Sequence, residues 1–152
     1  MGKAMFGAGC FWGVEATFRG VPGVNEVTVG YSGGTTENPT YRDICAHGTG
    51  HAEVVLVEFN NSEVTFEQLC EVFFTLHDPT QLDRQGPDIG DQYRSAIFTF
   101  DEAQSETARA VRDRLDATDR FRDDIVTQIS PAATFWRAEE YHQRYFEKHR
   151  GH

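Results

Sequence analysis

Residues 51–59 (His-Ala-Glu-Val-Val-Leu-Val-Glu-Phe) carry apolar side chains at odd and even positions alike. A strand with one wet face alternates apolar and polar residues, whereas one apolar on both faces sits centrally in a covered sheet. The chain must therefore supply neighbouring strands, and helices to cover them. Residues 3–7 read as a short first strand and 11–19 as a short helix before the turn Gly20-Val21-Pro22-Gly23. Val27, Val29 and Tyr31 alternate with Thr28, Gly30 and Ser32, the pattern of a half-buried strand. Thr65-Phe66-Glu67-Gln68 is a capping box, and Phe66, Leu69, Cys70, Phe73, Phe74 and His77 keep helical spacing until Asp78-Pro79. Residues 94–100 form a further strand, and Asp101 caps a charged helix running to about residue 118. Residues 125–129 give a last strand, stopped at Pro131, before an aromatic-rich helix over 135–149. The order β-α-β-β-α-β followed by α-β-α predicts an α/β (α+β) fold, a two-layer ferredoxin-like split βαβ plait with a C-terminal α-β-α appendage.

No repeat, low-complexity tract or linker interrupts the 152 residues, so residues 1–152 read as a single domain. Lys and Arg total 14 against 24 Asp and Glu, a net charge of −10. That balance argues against nucleic acid or an anionic membrane as partner, since both require a basic face. The longest strongly apolar run, residues 54–57, is too short to span a bilayer. Residues 4–8 are too short for a signal segment, and Phe6 stands where N-myristoylation needs Ser or Thr. Three cysteines, without C-x-x-C spacing or a secretion signal, do not indicate a disulfide framework. The expectation is a soluble, acidic, cytoplasmic protein.

Two long polar segments, residues 32–50 and 78–92, break the regular pattern, and loops of that length in a compact domain are more often functional than idle. Cys10 lies in Gly7-Ala8-Gly9-Cys10-Phe11-Trp12-Gly13, at the predicted junction of first strand and first helix. A thiol there feels the positive end of the helix dipole and free N–H groups, which favour the thiolate. The glycines permit a tight turn and close approach of a substrate backbone. Phe11 and Trp12 supply an aromatic wall suited to a methyl or thioether. The bland alternative, a small buried hydrophobe, suits Cys70 on its apolar stripe better than Cys10. The same stretch loosely matches a dinucleotide loop, but Cys10-Phe11-Trp12 puts bulk where a pyrophosphate must approach the backbone. His47 and His51 have H-x3-H spacing with Cys45 upstream, yet they lie in a Gly-rich loop without a fourth ligand, so no metal is expected. The alternating charges of residues 101–124 read as a solvated helix face.

Gly9-Cys10-Phe11-Trp12-Gly13 resembles the active-site motif of the peptide methionine sulfoxide reductase A family. Further blocks are similar to that family, in its order. Gly30-Tyr31-Ser32-Gly33-Gly34 with Asn38-Pro39-Thr40-Tyr41 resembles its tyrosine loop, and Gly48-Thr49-Gly50-His51-Ala52-Glu53 its glutamate motif. The block from Arg84-Gln85-Gly86-Pro87-Asp88 to Asp91-Gln92-Tyr93-Arg94-Ser95-Ala96-Ile97 resembles its longest motif, and Phe135-Trp136 with Glu140-Tyr141-His142-Gln143 its closing helix.

The resemblance implies thiol-dependent reduction of methionine-S-sulfoxide, free or in peptides and proteins, to methionine. Cys10 would attack the sulfoxide sulfur and end as a sulfenic acid. Glu53 would protonate the oxygen, which requires a pKa far above that of an ordinary glutamate, and its apolar strand offers the desolvation. Tyr41 and Tyr93 would hold the sulfoxide oxygen. Asp88, with Asp91 its neighbour in the motif, would orient water and polar contacts, and Phe11 and Trp12 would cradle the methyl. Without the resemblance, Glu53 reads as an exposed strand carboxylate, the tyrosines as packing residues with wet tips, and Asp88 as turn chemistry. No metal or organic cofactor is implied; electrons would come from thioredoxin, glutaredoxin or glutathione.

Many relatives carry resolving cysteines in a Gly-rich tail, whereas this sequence reaches Gly151-His152 without a cysteine there. The expectation is an external thiol, in preference to Cys45, which lies four residues past Tyr41. Two rivals remain on the residues alone. A Cys10-dependent peroxidase or acyl-transfer enzyme would need His47 or His51 as its base. A non-catalytic module would grip methionine or its sulfoxide through Phe11 and Trp12 and form no product.

Overall fold

The computed structural model describes residues 2–149; Met1 and residues 150–152, with the Gly151-His152 end considered above, lie outside it. In chain order the elements are β1 (Gly2–Ala8), α1 (Phe11–Arg19), β2 (Val24–Ser32), α2 (Tyr41–Cys45), β3 (Ala52–Phe59), α3 (Phe66–Leu76), β4 (Arg84–Gln85), β5 (Asp88–Ile89), β6 (Ser95–Thr99), α4 (Glu102–Asp116), β7 (Gln128–Pro131), β8 (Trp136–Arg137) and α5 (Tyr145–His149). The described residues form a mixed α/β fold around a six-stranded sheet of order β7-β6-β1-β3-β2-β8. β3 is central, antiparallel to β1 and β2, as its two apolar faces require. β6 runs antiparallel to β1 and parallel to β7, the edge strand, whose Pro131 has no N–H to give.

The alternation of side chains along the strands divides the interior. Phe6, Val29, Val55 and Val57 face the larger core with Phe18 of α1 and Leu69, Phe73 and Phe74 of α3. Met5, Val54, Ala96 and Phe98 face a smaller cluster with Phe135 on the opposite side. Phe6 stacks on Phe18 at 5.0 Å and on Phe73 at 5.2 Å, so rings join β1 to both helices. Thr65 and Gln68 form the reciprocal cap of α3, and Asp101 accepts the Gln104 N–H to start α4.

Three expectations need correction. The helix over residues 135–149 does not form. That stretch is β8, a 3-10 turn at Glu140–His142 and the short α5. Distant partners override its helical spacing: Ala138 N–H donates to the Val29 carbonyl, and the Gln143 amide bonds both the N–H and the carbonyl of Val29. A side chain thus completes the open edge of β2. The segment 32–50 is not all loop, because Thr40 and Asp43 cap each other's backbone and start α2. The segment 78–92 holds the small β4–β5 hairpin and a 3-10 turn at Asp91–Tyr93. Among the described residues no helix is long and apolar enough to cross a membrane.

Candidate active site

Gly9, at φ +95°, turns the chain sharply between β1 and α1, and an added Cβ there would press on Gln85 at 3.0 Å. Cys10 follows as the N-cap of α1, half-buried, and its side chain caps nothing. The first helical N–H, that of Phe11, donates instead to Glu53 Oε1 at 3.2 Å. Glu53 therefore caps the helix that presents Cys10, reaching it from β3. Its other oxygen, Oε2, is buried with no hydrogen-bond partner, and the residue is only 2% exposed.

These surroundings decide the charges. Burial pushes the Glu53 carboxyl up to about 8; the Phe11 N–H works against this and Asp88 adds to it. A carboxyl so placed keeps its proton at neutral pH. Burial also pushes the Cys10 thiol up, to about 11, with Glu53 and Asp88 contributing, against the N–H groups of Trp12 and Gly13. The helix-end donors act in the expected direction but are outweighed by desolvation, to which Asp88 adds. Because charge on Glu53 opposes charge on Cys10, a protonated Glu53 is the state in which the thiol ionises more readily.

Asp88 comes from the β4–β5 hairpin, where it lies opposite Gln85. Gln85 packs on the Gly9 turn and bonds both the N–H and the carbonyl of Asp78, pinning the hairpin beside Cys10. Tyr93 closes the next 3-10 turn, its hydroxyl raised to about 12 by burial first and then by Glu53, Asp88, Cys45 and Cys10. Tyr41 opens α2, and burial, Cys45 and Glu53 hold its hydroxyl well above the ordinary tyrosine range. Cys10, Glu53, Asp88, Tyr93 and Tyr41 are thus within electrostatic reach of one another through shared neighbours. Phe11 is wholly buried, packed on Tyr31 at 5.7 Å, whereas Trp12 is half-buried and stacks on Tyr145 at 3.8 Å.

The two histidines weighed as ligands or bases separate. His51 is buried, with Nδ1 accepting the Gly34 N–H and Nε2 against the Thr36 carbonyl, so it ties the two ends of the tyrosine loop. An added Cβ at Gly34 would clash with the backbone nitrogen of His51 and the carbonyl oxygen of Thr49, which is why glycine stands there. His47 is exposed. Among the described residues no group of three or more His, Cys, Asp or Glu side chains is placed to hold a metal ion.

Residues 2–152 match the peptide methionine sulfoxide reductase family. The chain belongs to that family. It is 65% identical over 148 residues to the peptide methionine sulfoxide reductase MsrA of Acidobacterium capsulatum, covering 97% of this chain and 95% of that one. The fold is similar to Mxr1 of Saccharomyces cerevisiae in its reduced form, with TM-score 0.91 and 33% identity, covering 99% of this chain and 87% of Mxr1. It is also similar to Mxr1 in complex with Trx2, with TM-score 0.68 and 25% identity over 95% of this chain and 84% of that one. Membership makes this an oxidoreductase that reduces methionine sulfoxide at the expense of thiols.

Beyond the residues nominated from sequence, the structure adds partners from the C-terminal strap, residues 135–149, to this reductase site. Glu139 accepts the Tyr31 hydroxyl at 3.0 Å and the Tyr41 N–H at 2.9 Å. His142 accepts the Trp12 indole N–H at 3.0 Å. Buried Glu15 takes the Arg144 N–H at 2.8 Å and Arg19 at 3.0 Å, fastening the strap to α1. Glu139 and His142 fall within the closing block of the family, Glu15 and Arg144 fall outside it, and no local pattern marks any of them.

Proposed function

We propose that this enzyme reduces methionine-S-sulfoxide, free or within peptides and proteins, with Cys10 as nucleophile and Glu53 as acid. The observation that carries the reading is the buried, unpartnered Oε2 of Glu53, on a carboxyl raised to about 8, beside the helix that begins after Cys10. A neutral carboxyl holding a proton in a dry site is what a sulfoxide oxygen needs as its bond to sulfur weakens. Cys10 sulfur bonds to the sulfoxide sulfur as the Glu53 proton goes to the oxygen and the thiol proton restores Glu53; the oxygen then passes to Cys10 sulfur as its bond to the substrate sulfur and the transient S–S bond break, so methionine leaves and Cys10 becomes a sulfenic acid. A first external thiol converts the sulfenic acid to a mixed disulfide with loss of water. A second thiol releases Cys10 and leaves with the disulfide.

Tyr41 and Tyr93, un-ionised, donate to the developing oxyanion, Asp88 orders the polar side of the pocket, and Phe11 and Trp12 form the wall for the methyl. Thioredoxin, glutaredoxin or glutathione supplies the thiols; the complex of yeast Mxr1 with Trx2 supports a protein donor of this kind. No metal or organic cofactor takes part. We read the strand order β6-β1-β3-β2 as the core of a split βαβ plait, with the remaining C-terminal elements as its appendage. Residues 1–152 are read as one catalytic domain working in the cytoplasm.

The test is turnover of separated S and R methionine sulfoxide with dithiothreitol, for wild type and Cys10→Ser. Methionine from the S epimer alone, and only with Cys10 present, is expected. No methionine from either epimer would sink the reading and favour the peroxidase or binding-module rivals.

A further inference from the structure

We propose that Gln85 is a positioning residue for the reaction, fixing where the Asp88 carboxylate stands relative to Cys10 and Glu53. The proposal rests on the reading of Cys10 as nucleophile and Glu53 as acid. Gln85 and Asp88 are opposite partners in the β4–β5 hairpin, so both side chains leave it on one face. The stem of Gln85 lies on the Gly9 turn, where an added Cβ would come within 3.0 Å of its Cβ and Cγ. That face is therefore turned toward Cys10, while Ile89, the next residue, is 69% exposed.

The amide of Gln85 ties the hairpin to the chain just past α3. Its Oε1 accepts the Asp78 N–H at 3.0 Å, and its Nε2 donates to the Asp78 carbonyl at 2.9 Å. The Gln81 N–H reaches the same carbonyl only at 3.5 Å. Other bonds close the hairpin on itself: the Gly86 N–H to Gln81, Arg84 to the Gly86 carbonyl, and the Gly90 N–H to the Asp83 carbonyl. Asp78 is a firm anchor because both its neighbours are held. His77 bonds the Phe73 carbonyl and the Ser95 hydroxyl, each at 2.8 Å, and the Pro79 carbonyl accepts the Val126 N–H. Ser95 in turn pairs with Ala8, two residues before Cys10. A primary amide donates and accepts at once, whereas a carboxylate would set an oxygen against the Asp78 carbonyl and a thioether would make neither bond.

What the tie fixes is a charge. Asp88 adds to burial in raising the Glu53 carboxyl, and adds to burial and Glu53 in raising the Cys10 thiol. Tyr31, Tyr41 and Tyr93 stand around this pair as un-ionised hydroxyls. Coulomb interaction weakens with distance and with the entry of water, so a hairpin released from Asp78 withdraws the Asp88 charge from both groups.

The experiment compares Gln85→Met, which keeps the stem over Gly9 but loses both bonds, with Asp88→Asn, which removes the charge in place, and with the double variant. The alkaline limb of kcat for the S-sulfoxide, which reports the Glu53 proton, should move to lower pH in each single variant. Alkylation of Cys10 by iodoacetamide at pH 8, followed on the Cys10 peptide by mass spectrometry, should run roughly two- to fivefold faster in each, because more thiolate is present. In the Asp88→Asn background Gln85→Met should move neither readout much further, since the two substitutions act through one charge. A hairpin acting through packing or exposure alone would speed alkylation equally with or without Asp88, and that result would overturn the proposal. So would a folded Gln85→Met with the wild-type limb and alkylation rate. The wild-type Asp78 N–H should exchange slowly with solvent; rapid exchange there rules the tie out even if Gln85→Met does not fold. A wild type that reduces no sulfoxide would instead overturn the proposed function, leaving alkylation and exchange to judge Gln85.

Discussion

The site has a dry end and a braced end, and the two treat a carboxylate in opposite ways. At the dry end Glu53 uses one oxygen on the Phe11 N–H and leaves the other buried and unpartnered, so burial pushes its carboxyl up to about 8. At the braced end Glu139 uses both oxygens, on Tyr31 and on the Tyr41 N–H. Burial alone would raise Glu139 as well, but those bonds hold it below the ordinary glutamate range. Unmet hydrogen-bonding capacity is therefore kept where a proton has to move, and met capacity where a ring has to stay still.

The comparison breaks most visibly if the chemistry does not sit at the dry end. Cys10→Ser should lower S-sulfoxide turnover on the order of a thousandfold or more, because the nucleophile acts as part of a unit. Glu53→Gln should lower kcat about 10²- to 10³-fold while leaving KM nearly unchanged, the usual range for losing a general acid. Wild-type kcat should fall as pH rises through about 8, as the acid form disappears, and the Gln variant should lack that limb.

Stability sharpens the contrast through its sign. Glu53 has a folded pKa above its unfolded value of 4.5, so its contribution is fully present below 4.5 and is lost as pH rises through about 8. Glu53→Gln should therefore unfold at a higher temperature than wild type above that range. Glu139 has a depressed folded pKa, so its contribution is present above the unfolded value and is lost as pH falls through the folded one. Glu139→Gln turns an NH2 toward a donor and should cost about 1 kcal/mol at neutral pH, with roughly tenfold less kcat/KM through a loosened Tyr41. Cys45→Ser should have the smallest effect, with thioredoxin-driven turnover preserved if external thiols resolve the sulfenic acid. Each is checked by thermal unfolding alongside steady-state kinetics with the S epimer.

The central strands and α3 were legible because their partners are announced locally. The two apolar faces of β3, the alternation of β2 and the capping box at Thr65 each depend on residues a few positions apart. The strap was not legible. Its aromatic residues keep helical spacing, but its path is set by Val29, Tyr31 and Trp12, more than a hundred residues away. The β4–β5 hairpin has only two residues per strand, too few for any periodicity to show. At the site, the motif carries Cys10 and Glu53 into view, but not the burial that opposes the helix-end donors at Cys10. A helix N-terminus can be recognised along the chain, whereas the burial that outweighs it is supplied by elements distant in sequence, β3 and the hairpin among them.

The most direct measurement is the ionisation of Glu53 itself, followed by infrared difference spectra of 13C-glutamate-labelled wild type and Glu53→Gln across pH. A protonated carboxyl band that belongs to Glu53, persists at pH 7 and disappears with a midpoint near 8 is the predicted result. A midpoint near the ordinary 4.5 would contradict the account, because Glu53 would then have no proton to give at neutral pH.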